Sequence, residues 1–152
     1  MDMTPRHFGL LLSLVVFCVS SYLLVTASPM LVQTASASLD MPWGTLVAWF
    51  GLLSIPSIVY FAFPGLQNPK STILQVLRWA WVISLTLAIL YPFLSFYLAG
   101  NWSYTFQSQV PFRGSTRASV YYWNLVKITA ILPLLVLLGA LLERFLAGKP
   151  RA

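Results

Sequence analysis

Four long apolar stretches, separated by more polar connections, set the pattern of this chain. The first runs from Phe8 to Val32 without a charged residue. The second runs from Trp43 to Pro64 and ends at the polar turn Gln67-Asn68-Pro69-Lys70-Ser71. The third extends from Trp79 to Ala99, with its helix expected to start near Ile73 and to stop at Gly100-Asn101. The fourth covers Tyr121 to Phe145. A helix rises about 1.5 Å per residue, so roughly 20 apolar residues cross the hydrocarbon of a bilayer. Each stretch is long enough. The pattern therefore predicts an all-α, polytopic membrane protein with four transmembrane helices in a kinked bundle. The expected spans are 8–32, 43–64, 73–99 and 120–146, in one integral membrane domain covering 1–152, with an outer loop at 100–119. A cleavable signal peptide is the rival for the first stretch, since Arg6 and His7 precede it and Ala35-Ser36-Ala37 follows it. The apolar core of such a peptide is about 7–15 residues, much shorter than this one, so a retained helix is expected.

Composition strengthens this picture. Hydrophobic residues make up 59% of the chain and charged residues 8%, against about 25% charged in a typical soluble domain. Too few charges exist to clothe a water-facing surface. The net charge is +6, but the basic residues are scattered at the ends of apolar runs. No basic stripe is present to hold phosphates in register, which argues against nucleic acid as a partner. The single cysteine, Cys18, lies inside the first run and is expected to behave as a small hydrophobe.

Charge also predicts orientation. Arg6, Lys70, Arg78, Arg144, Lys149 and Arg151 fall on one side, six in all, against Arg113 and Arg117, two in all, on the other. Lys and Arg accumulate on the cytoplasmic side, so both termini are expected inside and the long third connection outside. Tryptophans agree: Trp43, Trp102 and Trp123 fall near the expected outer surface, Trp79 and Trp81 near the inner one, and Trp49 within a span. A plasma or inner membrane is the expected location.

Candidate contact residues are few. Lys127 lies six residues into the fourth span from Tyr121, roughly 9 Å by helical rise. It either lifts its ammonium to the headgroups along its own stem or meets an anion, a lipid or a partner group. Asn124, three residues earlier, shares its face. Pro56, Pro92 and Pro133 lie inside three spans, where each removes a backbone hydrogen bond and kinks its helix. Gly44, Ala48 and Gly51 form a small-residue stripe on the second span, and Ala80, Ser84 and Ala88 form another on the third. Such stripes let backbones approach closely. The second-span stripe is expected to face a partner and the third-span stripe the interior. In the outer loop, Asn101-Trp102-Ser103-Tyr104-Thr105-Phe106 alternates polar and aromatic residues. Trp102, Tyr104 and Phe106, with Arg113 and Arg117 nearby, make a binding surface or lie on the headgroup layer. Asn101-Trp102-Ser103 also fits a glycosylation sequon.

Chemistry is sparse. His7 is the only histidine, whereas metal and haem sites need several converging ligands, so no cofactor is expected. The spans hold serines but no Asp or His to activate them, and Glu143 sits at an expected surface. The chain is therefore not expected to be an enzyme. The expected role is a non-catalytic accessory or structural subunit of a larger integral membrane complex, in contact with lipids and other membrane subunits, with an energy-transducing or transport assembly as host. The alternative is a small transporter or channel that self-associates around Pro56, Pro92, Pro133, Asn124 and Lys127.

Overall fold

A computed structural model describes residues 4–102, 104–106 and 111–147. Ser103 of the sequon, and Lys149 and Arg151 of the inner charge set, lie outside these residues. The described residues are mostly helical. In order come α1 (Pro5–Val25), a single 3-10 turn (Pro29–Val32), β1 (Thr34–Ser36), β2 (Met41–Pro42), α2 (Trp43–Ala62), the short α3 (Pro64–Gln67), α4 (Thr72–Ala99) and α5 (Thr116–Ala147). Four of these helices, α1, α2, α4 and α5, are long and apolar enough to cross a membrane.

The helix ends follow from local chemistry. Ser71 caps α4: its hydroxyl accepts from the Leu74 N–H at 3.2 Å, satisfying one of the free donors of the first turn. Gly100 closes the same helix at φ 75°, a conformation open to glycine. The first span ends earlier than the apolar pattern suggests, at Val25 rather than Val32. There the Ala27 N–H donates to the Leu24 carbonyl and the Ser28 N–H to the Leu23 carbonyl, with Ala27 at φ 47°. This is a Schellman closure with alanine where glycine is usual. Residues 29–42 then form the 3-10 turn and a two-stranded hairpin in which Thr34 pairs with Pro42 and Ser36 with Met41.

Packing divides the helices into two antiparallel pairs. α1 packs principally on α2. Its contact seam is Gly9, Ser13, Val16 and Ser20, small or short residues at a 4-3-4 spacing. A Cβ on Gly9 would stand 2.6 Å from the Phe61 ring, and one on Gly51 would stand 3.0 Å from the Ser20 side chain. Gly9 makes room for the Phe61 ring, and Gly51 lets the two helices approach closely at Ser20. The rest of α1, including Leu11, Leu12, Val15 and Val19, is exposed.

α4 and α5 form the second pair, and α2 packs against both. At one end Ser71 donates to Glu143 at 2.9 Å and Leu77 fills the space left by Gly139. Toward the other end Tyr91 meets Tyr122. This register brings Ser84 and Thr129 to the same level between them. A core of Val59, Leu66 and Val136 ties α2, α3 and α5 together, with Leu74, Leu77 and Trp81 of α4 packed on it. Arg6, Ala62, Leu74 and Glu143 border one cavity, so the first and last described helices begin and finish at the same end of the bundle.

Candidate functional site

α5 is two-sided. Tyr122, Thr129, Pro133, Val136 and Ala140 are buried, while Arg117, Tyr121, Asn124, Ile128, Ile131 and Leu135 are exposed. Both sets follow the 3.6-residue period. Lys127 flanks the second set and is also exposed. Among the described residues, neither Asn124 nor Lys127 has a hydrogen bond or an ion pair. The exposed face of α5 thus carries, from its start, a guanidinium, a carboxamide and an ammonium, followed by an apolar stripe. Arg113 is exposed too, with its backbone N–H tied to the Ala99 carbonyl at 3.0 Å.

The loop aromatics are folded down onto the bundle. Trp102 stacks on Phe96 with ring centroids 4.5 Å apart, and its carbonyl accepts from the Thr45 hydroxyl at 2.7 Å. Tyr104 meets Phe112 and Tyr122 edge-on at 5.0 and 5.6 Å. Phe106 lies over Gly44, where a Cβ would run into its ring. All three aromatics are half-buried. Between this plug and the helices lies a cavity of about 20 Å³ bordered by Thr45, Tyr91, Ser95, Asn101 and Tyr122. A space of that size and polarity suits about one water molecule.

Both small-residue stripes point inward. Ser84 and Ala88 are fully buried. In the second-span stripe, Gly44 is covered by Phe106, Ala48 is half-buried and Gly51 rests on Ser20. This differs from the outward direction expected for Gly44, Ala48 and Gly51. The reason is α1, which needs a close seam on α2 and finds it at Gly51.

Two tryptophans serve roles that apolar patterning does not reveal. Pro92 has no N–H to give to the Ala88 carbonyl one turn back, and the Trp49 indole N–H donates to that carbonyl instead, at 3.0 Å. The Trp81 indole donates to the Pro56 carbonyl at 2.8 Å. Trp81 is thereby tied to α2, whereas Trp79 on the same helix is exposed. A signal existed for Trp49, since an indole in mid-span must find an acceptor and a proline supplies one. Arg6 was legible only as a flanking charge. Its guanidinium caps α2, donating to the Phe61 and Ala62 carbonyls at 2.7 and 3.2 Å.

Among the described residues, no three His, Cys, Asp or Glu side chains gather as metal ligands. His7 pairs with the Thr4 hydroxyl at 2.8 Å. No family model, no curated protein and no solved structure matches this chain.

Proposed function

We propose that this chain is a non-catalytic subunit of a larger integral membrane assembly, spanning the bilayer four times with both ends on the cytoplasmic side of a plasma or inner membrane. The observation that carries the proposal is the exposed Asn124–Lys127 pair on α5, polar and without a hydrogen-bond or ion-pair partner among the described residues. In hydrocarbon, an exposed carboxamide or ammonium gains most by meeting a polar group of a neighbouring helix. The small-residue seams are already spent inside the chain, so this face is the distinctive surface left for a neighbour. The Pro92 site supports a structural role as well. The carbonyl freed by Pro92 is occupied by Trp49, and is not left open to a solute as in a broken transport helix.

The test is the mass of the protein extracted in mild detergent, for wild type, Asn124→Leu and Lys127→Met. Wild type should run with different polypeptides at fixed stoichiometry, and both variants should run alone while remaining folded. A wild-type homo-oligomer would favour the self-associating transporter. Variants that keep their native mass would reduce Lys127 to a lysine that reaches for the headgroups.

A further inference from the structure

An open cavity of about 450 Å³ lies at the end of the bundle where α1 begins and α5 finishes. That volume falls within the range of small-molecule sites. Its border combines apolar and charged groups: Phe63, Leu74 and Ala140 with Arg6, Glu143 and Arg144. The Arg6 guanidinium is fixed by the α2 carbonyls, and those two bonds use two of its five donors. Glu143 accepts from Ser71 through Oε1. Arg144 has no hydrogen-bond partner among the described residues. Although all three charged groups border one space, none is ion-paired with another among the described residues.

Two guanidiniums and one carboxylate beside an apolar wall match a ligand with a phosphate, an ammonium and a hydrocarbon part. Guanidinium recognises phosphate through paired, charge-assisted bonds. Basic pockets between membrane helices are suited to lipid headgroups. The carboxylate narrows the choice. A primary ammonium offers it three donors, a quaternary ammonium offers none, and a glycerol head brings no charge to balance it. We propose that this cavity binds a glycerophospholipid with an ethanolamine head. Arg6 and Arg144 hold its phosphate, Glu143 receives its ammonium, and the apolar wall takes the start of its chains. The proposal needs the chain to sit in a bilayer and does not depend on any partner subunit.

The test is native mass spectrometry of the full-length protein, titrated with phosphatidylethanolamine, phosphatidylcholine and phosphatidylglycerol of the same chains. Wild type should retain one ethanolamine lipid roughly ten-fold more tightly than either other lipid, the gain of one charge-assisted contact. Arg144→Gln should weaken all three lipids, with Arg144→Lys falling between. Glu143→Gln should keep phosphate binding and abolish the preference for ethanolamine. Arg78→Gln, on α4 and not on this cavity's border, should change nothing. Melting temperatures close to wild type would show that the variants are folded, as the exposure of Arg144 leads one to expect. Equal retention of the three lipids by wild type, or the same loss in Arg78→Gln as in Arg144→Gln, would overturn the site. Displacement by chain-free glycerophosphoethanolamine at the lipid's own concentration would overturn a lipid as its ligand.

Discussion

At Ala27 the backbone closes α1 through φ 47°, a region that costs an L-residue with a Cβ about 1–2 kcal/mol relative to glycine. Ala27→Gly should therefore stabilise the protein by about 1 kcal/mol, read as a higher midpoint of thermal or denaturant unfolding in detergent. A fall in stability would contradict the Schellman closure. Ser84 is a second case. Its hydroxyl is fully buried between α4 and α5 without a partner among the described residues, as is that of Thr129. A buried hydroxyl without a partner costs about 1–3 kcal/mol, so Ser84→Ala should be neutral or stabilising. Ser84→Leu should instead destabilise by about 1–3 kcal/mol, because the site has no spare volume. Neither residue was legible in these terms. Alanine gives no warning of a left-handed turn, and a serine in a small-residue stripe looks the same whether or not its oxygen is satisfied.

Between elements, the Trp49–Ala88 bond and Pro92 form one unit. Trp49→Phe should leave the Ala88 carbonyl unsatisfied and cost about 1–3 kcal/mol. Pro92→Ala restores an N–H that can close the helix on that same carbonyl. On a Pro92→Ala background, Trp49→Phe should therefore cost less, and a double-mutant cycle measures the difference. Purely additive effects would separate the indole from the proline. Gly51 belongs to the same scale. Because it rests on Ser20 of α1, Gly51→Leu should unfold the α1–α2 seam and not merely detach the chain from a partner. The helices themselves were readable from the apolar runs: the third was expected over 73–99 and spans 72–99. Which neighbour each helix chooses was not readable. Small-residue faces on α2 and α4 are equally suited to an internal or an external contact, and the choice depends on where α1 lies. The hairpin after α1 was hidden because Leu31 and Val32 continue the apolar run beyond the helix end.

For the molecule as a whole, the six-to-two charge asymmetry predicts which loops face the cytoplasm. On a Cys18→Ala background, Gln67→Cys and Lys149→Cys should resist an impermeant thiol reagent in intact cells, and Gln109→Cys should react. Labelling at 149 would reverse or break the four-span arrangement. Asn124 and Lys127 were legible as polar residues in a span and as sharers of one face. That this face is turned outward, away from the Tyr122–Thr129–Val136 side, comes only from the packing of α4 on α5. The exposed α5 face is the centre of the functional account, and it can be probed where the protein works. The decisive measurement is photo-crosslinking in native membranes from a photoreactive amino acid placed at Asn124, with the same probe at Cys18, exposed on α1, as comparison. The account predicts a single dominant adduct at Asn124, to a different polypeptide, that disappears in the Lys127→Met background. Adducts only to lipid, or to a second copy of this chain, would contradict it.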